Sequence, residues 1–221
     1  MPYRRTENVA RQLAARRAAI VAAARALANE GGMAAVQIAP VAARAGIAAG
    51  TVYRYFPSKT ALVAAVMAAM SERELSAVRA AADAAPGPLS ALAAAVTTFA
   101  ARALHQRRLA WAVIAEPVDP DIDAMRLAYR RALAAEVERR LAAAIGAGHV
   151  PEQDARLCAP ALVGALVEGL IGPLAPDAVN AGAARAAVQA LTLFALRAVG
   201  IVDARARGLV VQSALPEPDE R

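Results

Sequence analysis

An all-α fold is what this sequence predicts, and three observations carry the expectation. Alanine dominates a hydrophobic fraction of 58%, and alanine is the residue that sits best in a helix interior. Aromatic residues, which favour strands, make up only 4% of the chain. Glycine and proline divide the remainder into segments of helical length.

Taken in order, the first helix is expected from about Asn8 to Asn29. Val9, Leu13, Ile20, Ala24 and Leu27 fall on an inward stripe, Arg11, Arg16, Arg17 and Arg25 on an outward one, and Gly31 and Gly32 end it. A short helix from Ile38 to Ala45 is stopped by Gly46, and another follows from about Ala49 to Tyr55. Two short helices joined by a glycine-containing turn make a helix-turn-helix. Pro57 and Ser58 are expected to open a long helix through Leu62, Val66, Met70 and Leu75 to about Ala84. After the break at residues 85–88, helices are expected near 88–105, 107–115, 120–146, 152–172 and 180–199, with Pro117, Pro120, Gly146, Gly148, Pro151, Pro173, Pro176 and Gly200 as stops. Residues 213–221, proline-rich and charged, read as disordered. The organisation is then an arm and helix-turn-helix domain at 1–60, a connecting helix at 61–85, a larger helical domain at 86–203 and a tail at 204–221.

Charge is unevenly distributed. Residues 1–60 hold nine cations (Arg4, Arg5, Arg11, Arg16, Arg17, Arg25, Arg44, Arg54 and the chain's lone lysine, Lys59) against Glu7 and Glu30, so +7 of the net +6 lies there and the remainder sums to −1. Such asymmetry suits a polyanionic partner at one end of the chain. A solvated basic face is the alternative that charge alone leaves open.

Several classes are disfavoured. One cysteine, Cys158, cannot form an intrachain disulfide, and no N-terminal apolar signal region is present, which fits a reducing cytoplasm. Cys158 reads as a small buried hydrophobe. The stretch 157–176 approaches membrane-span length, but Glu168, Pro160 and Pro173 mark it as a buried helix, so no membrane partner is expected. His105, His149 and Cys158 make no metal set, no cofactor is indicated, and no nucleophile, base and oxyanion arrangement stands out, so an enzyme is not expected.

The densest chemistry lies in AGIAAGTVYRYFPSK, residues 45–59. Gly46 permits a tight turn at positive φ. Gly50 removes a side chain where a helix approaches a duplex, Ala49 precedes it, and Thr51, Tyr53 and Tyr55 offer hydroxyls to phosphates, which fixes register without reading sequence. Lys59 adds charge at a helix N-terminus, where free amides already favour an anion. Phe56 is expected to face inward. Tyr53 and Tyr55, two residues apart, cannot share one helix face; Tyr55 reads as the stronger contact and Tyr53 as the one closer to core packing. Arg44 and Arg54 suit guanine edges, and Gln37 suits adenine or a phosphate. Tyr3, Arg4 and Arg5 read either as a minor-groove arm or as a disordered terminus.

Over residues 16–67 this arrangement resembles the N-terminal domain of TetR-type transcriptional regulators, through the run from Ala42 to Gly46 and through Gly50, Thr51, Tyr53, Tyr55, Phe56 and Lys59. The stretch 109–120 is similar to one branch of that family. Departures are Gln37 in place of a Ser or Thr cap, Pro40 in place of an acidic residue, and Ala48 and Ala49 where polar residues often begin the recognition helix. The resemblance implies a homodimeric repressor that binds double-stranded operator DNA and is released by a small apolar or amphipathic effector acting through the connecting helix.

Candidate pocket residues are the larger side chains expected on inward faces: Met67, Met70, Phe99, Leu104, His105, Trp111, Ile114, Met125, Tyr129 and Leu166. Ordinary core packing is the competing reading for each. A dimer seam is expected on the last two long helices at Ala161, Gly164, Ala165, Gly169, Gly172, Val188, Leu191, Ala195 and Ala198, with packing inside one subunit as its alternative. Two rivals from other classes are a non-specific architectural DNA binder and a helical enzyme or carrier that merely contains a similar turn.

Overall fold

The computed structural model describes residues 3–116, 120–177 and 180–213. Among the described residues the structure is helical throughout, with one 3-10 turn and no strand. Its helices are α1 (Tyr3–Gly31), α2 (Ile38–Arg44), α3 (Ala49–Tyr55), α4 (Lys59–Asp83), α5 (Pro88–His105), α6 (Arg107–Ile114), α7 (Pro120–Gly146), α8 (Ala155–Leu170), α9 (Ala181–Ala198) and α10 (Asp203–Gln212); the 3-10 turn is Met33–Ala35.

The all-helical expectation holds, with three corrections. The backbone of α1 is helical from Tyr3, so residues 3–5 are not an extended arm. Val9 and Leu13 stand about half exposed (51% and 49%) rather than inward; all the described side chains of α1 before Ile20, the first one buried, are exposed. A tenth helix, α10, occupies part of what reads as a tail; Ala206 and Leu209 bury against α9 and α5. The expected disorder of residues 214–221 and the stop at Pro117 lie outside the described residues.

Helix α5 is the axis of the larger domain. Its buried residues include Ala91, Leu92, Ala93, Val96, Phe99 and Ala100, and they surround the helix rather than forming one stripe, as befits a helix enclosed on all sides. Helices α4, α7, α8, α9 and α10 pack around it. The alanines let those neighbours come close, and the Thr97 and Thr192 hydroxyls meet 3.3 Å apart in the buried seam between α5 and α9.

A buried ionic cluster joins α7 to the end of α4. Glu136 is only 4% exposed; it accepts from Arg140 Nε at 2.7 Å and Arg139 Nη2 at 2.8 Å, and Arg140 Nη2 reaches Asp83 at 2.5 Å. Burial opposes ionisation of Glu136, but the hydrogen bonds from Arg139 and Arg140 outweigh it and hold the carboxyl below its ordinary range. The hydrogen bond from Arg140 lowers Asp83 likewise. Both folded-state values being depressed, the stabilisation is present above the ordinary carboxylate range and lost as pH falls through the lowered values. Glu136→Gln is expected to cost about 1.5–3 kcal/mol at neutral pH, the worth of a hydrogen bond to a charged group. The gap from the parent chain should narrow in acid. Urea unfolding of both proteins across the acid limb checks this; a gap independent of pH would show that the cluster is not what the carboxylate contributes.

Candidate nucleic-acid interface and adjoining cavity

The turn between α2 and α3 is built by Gly46 at φ 65°. There the amide of Ile47 donates to the Ala42 carbonyl at 3.0 Å and that of Gly46 to Ala43 at 3.2 Å, closing the end of α2. Val52 and Phe56, one helical turn apart, are buried at 0% and 2%, and Tyr55 packs beside them half-buried. This pins one face of α3 and turns the other outward. Ala49, Gly50, Tyr53 and Arg54 are exposed on that side, Tyr53 at 52%, and Thr51 is half-buried. Of the two tyrosines, Tyr53, expected nearer to core packing, is the exposed one, and Tyr55, expected as the stronger contact, is half-buried against the core. Around Gly50 an added Cβ would meet nothing within 4 Å, so no contact within the chain requires glycine there.

Ser58 caps α4 by accepting from the Ala61 amide at 3.0 Å, which leaves Pro57 outside the helix and makes exposed Lys59 its first residue. Gln37 stands at the start of α2 without making a cap bond; its side-chain amide donates to the Ala34 carbonyl at 2.9 Å. Arg44 is also engaged, giving a two-pronged ion pair to Glu30 at 2.5 and 2.9 Å. Hydrogen bonding to Arg44 holds the Glu30 carboxyl below its ordinary range. By contrast Arg54 makes no ion pair among the described residues. Arg17 lies 4.9 Å over the Phe56 ring, tying α1 to the end of α3.

Sequence reasoning missed the joint behind this surface. Gly32 adopts φ 72° directly after α1. That conformation presents the Met33 amide to the carboxylate of Glu116, 3.1 Å away beyond the end of α6. At the other end of α6, Arg108 donates to the Glu30 carbonyl. One short helix of the larger domain thus grips the end of α1 at two points.

The opposite side of α6 lines a small cavity with α4, α5 and α7. Its walls are largely apolar, with Met70, Phe99, Leu109, Val113, Ile114 and Tyr129 among them, and its volume is about 30 Å³. A wider groove of about 260 Å³ between α4 and α7 includes Met67, Met125 and, again, Tyr129. The expected pocket residues thus divide. Met67, Met70, Phe99, Ile114, Met125 and Tyr129 line one space or the other, whereas Leu104, Trp111 and Leu166 line neither, the last being fully buried, and His105 is exposed. The polar lining, Glu74, Arg102 and Gln106, was not anticipated. Arg102 binds Glu74 through two hydrogen bonds at 2.6 and 2.9 Å.

On α8 and α9 the residues expected at a seam also divide. Ala161 and Ala198 are exposed, and Gly164 and Ala165 half-buried. Val188, Ala195 and Gly172 are buried within this chain. Gly169 faces Leu191: a Cβ there would lie 3.0 Å from the leucine Cδ2, so this small residue serves packing between α8 and α9 of the same subunit. Phe194, 51% exposed, was overlooked on the outer face. Among the described residues no helix is long and apolar enough to cross a membrane, and no group of three or more His, Cys, Asp or Glu side chains is placed to hold a metal.

The sequence model for the tetR family of bacterial regulatory proteins matches residues 20–66, from the buried half of α1 through the first third of α4. The HTH-type transcriptional repressor KstR of Rhodococcus jostii (strain RHA1) is 52% identical over 58 residues, 26% of this chain and 27% of that protein. KstR of Mycolicibacterium smegmatis is 48% identical over 58 residues, 26% and 28% of the two chains. This chain therefore covers about a quarter of the length of the relatives it matches. Solved structures extend the likeness in fold alone. RolR in complex with resorcinol superposes with a TM-score of 0.65 at 24% identity, covering 94% of this chain and 98% of RolR. FadR from Bacillus subtilis in complex with stearoyl-CoA gives 0.68 at 19% identity, covering 83% and 98%. Through the end of α1, the helix-turn-helix and the start of α4, the chain is similar to the tetR family of bacterial regulatory proteins.

Proposed function

We propose that this chain is a cytoplasmic, homodimeric transcriptional repressor that binds operator DNA through the exposed face of α3 and is released by a small ligand held between α4, α5, α6 and α7. The observation that carries the reading is that face. Ala49, Gly50, Tyr53 and Arg54 stand outward while Val52 and Phe56 anchor the helix, and Lys59 lies close in sequence at the start of α4. A glycine that no contact in the chain requires is accounted for by a duplex backbone approaching there. Tyr53, Thr51 and Lys59 suit phosphates, whereas Arg54 is the cation best placed to reach a base edge. Arg44 and Gln37, occupied by Glu30 and Ala34, serve instead to hold α2.

For the dimer, the outer face of α8 and α9, with Leu157, Ala161, Phe194 and Ala198 exposed, supports a four-helix seam between subunits. Release follows from the sharing of helices. Helix α4 contributes Leu62 and Val66 to the core beneath α1–α3 and Met70 and Glu74 to the cavity; α6 lines the cavity and holds α1 through Arg108 and Glu116. A ligand that shifts either helix alters the setting of α3, and linkage then requires DNA and ligand to weaken each other by the same factor. RolR with resorcinol and FadR with stearoyl-CoA show that this fold alone does not choose the ligand.

Selection from a pool of random duplexes tests the reading. A two-fold symmetric sequence should be enriched, its half-sites roughly 34 Å apart. Retention without sequence preference would favour an architectural binder, and no retention would sink the DNA-binding reading. On the selected duplex, Lys59→Ala should weaken binding to all sequences alike and reduce the salt slope by about 1. Gly50→Ala should leave the fold as stable or up to about 1 kcal/mol more stable, since alanine is the better helix former, while lowering affinity for the duplex; unchanged affinity would remove the argument from close approach. Glu116→Ala should raise the exchange rate of the Met33 amide about tenfold, the equivalent of a lost charge-assisted hydrogen bond, as read by hydrogen exchange.

A further inference from the structure

Resting on the DNA-binding reading, we infer that the first half of α1 is a second duplex-binding surface, a helical rail for backbone phosphates in the sequence flanking each half-site. Every side chain from Glu7 to Ala19 is exposed, although the segment is helical and continuous with the buried half of α1. Its charge pattern names the partner. At about 100° per residue, Asn8, Arg11, Gln12 and Arg16 share one face, and the sequence continues the same spacing at Arg4 and Arg5. Glu7, the one carboxylate in the first nineteen residues, falls well off that face. Arg11 donates to the neutral Asn8 side chain at 2.7 Å, and neither Arg11 nor Arg16 makes an ion pair among the described residues. Cations and side-chain amides at successive turns, with no acid between them, suit a row of phosphate oxygens. Val9 and Leu13 lie on the other side of the helix, so this face offers no apolar seam to a second copy.

The fold sets where this face lies. Helices α1 and α4 both run toward the larger domain: α6 holds the end of α1 through Glu116 and Arg108, and α4 begins at Lys59 and carries Met70 and Glu74 into the cavity. Their first turns therefore point away from that domain, and the end of α3 lies beside them, with Arg17 over Phe56. From Arg17 the helix continues back to Tyr3, about 21 Å further at 1.5 Å per residue. Arg11 and Arg16 belong to a face roughly opposite Arg17 around the helix, hence turned away from α3. The phosphates this face meets are then those beyond the half-site that α3 contacts. Such a rail also supplies cations that the α3 surface lacks, where Arg54 and Lys59 are the exposed ones.

The test measures affinity against salt for the full chain on two forms of the selected duplex, one ending at the half-sites and one extended at each end by about 10 base pairs, one helical turn. The parent should bind the extended form more tightly and with a salt slope steeper by about 3 to 4, at about 0.9 per phosphate for two cations in each of two subunits. Arg11→Gln with Arg16→Gln should abolish that difference while binding the trimmed duplex within about twofold of the parent, which also checks that the fold and α3 are intact. Ala10→Glu with Ala14→Glu makes the same change in net charge off the face and should keep most of the difference. A·T-rich and G·C-rich extensions should serve equally, since phosphates carry no sequence. Equal binding of the two lengths by the parent, equal loss on both lengths in the arginine variant, equal loss from the two charge variants, or a gain confined to one extension sequence would overturn the assignment. Binding of the trimmed duplex with no gain from the extension removes the rail and keeps the DNA-binding reading, whereas no binding of either length removes both.

Discussion

The hydrogen bond from the Met33 amide to the Glu116 carboxylate ties the segment between α1 and the helix-turn-helix to the larger domain. It exists because Gly32 turns the chain at φ 72° immediately after α1. A side chain at that position would be strained and would approach the Glu116 oxygens at 3.3 Å. The same few residues do more: the Glu30 carbonyl accepts from Arg108, and the Glu30 carboxylate holds Arg44 at the end of α2. One end of α1 is therefore joined to α6 through backbone groups and to the helix-turn-helix through a side chain. Under the proposed function, these contacts give a displacement of α6 a route to α2 that does not pass through α4.

This joint also changes the meaning of charge in the first sixty residues. The excess of +7 is real as a sum, yet it is not all offered to solvent in one place. Arg44 is spent on Glu30, and Arg17 lies over Phe56. What remains on the outward side of α3 and the start of α4 is Arg54 and Lys59, with Tyr53 as a neutral donor. Under the proposed function, a surface so equipped docks on phosphates more than it reads bases, and the exposed methyls of Ala48 and Ala49 add thymine contacts at most. Under the proposed function, much of the selectivity then falls to symmetry and half-site spacing, which belong to the dimer.

The helix-turn-helix was legible in the sequence because its signals are local: Gly46 stops α2, Ser58 caps α4, and Val52 with Phe56 marks the buried face of α3. The same spacing accounts for the exposure of the tyrosines, since Tyr55 lies three residues after Val52 and shares its face, whereas Tyr53 does not. Helix α10 was missed because Arg205 and Arg207 make residues 203–212 look solvated, when Ala206 and Leu209 suffice to dock one turn. Val9 and Leu13 misled for the opposite reason: periodicity specifies a face, not whether anything lies against it. Glu74 and Arg102 lie 28 positions apart. Each reads alone as a surface charge, and only the packing of α4 on α5 brings them together in a cavity wall.

The proposed release mechanism asks which helices can move, and packing gives an ordering. Helix α5, enclosed on all sides by alanine-lined contacts, cannot shift without disturbing every neighbour, and a close-packed interior resists that. Helix α6 has eight residues and is steered mainly from its ends. Beyond its grip on α1, Arg107 donates to the Ala175 carbonyl at 3.0 Å and the Asp177 carboxylate at 3.2 Å, in the segment that follows α8. Under the proposed function, a ligand that pushes on Val113 or Ile114 meets a lever held at both tips to the end of α1 and, through Arg107, to the segment that follows α8. The coupling cannot exceed the difference in ligand affinity between the two settings of that lever. In a cavity with largely apolar walls, that difference comes from how well the ligand's shape fits each setting.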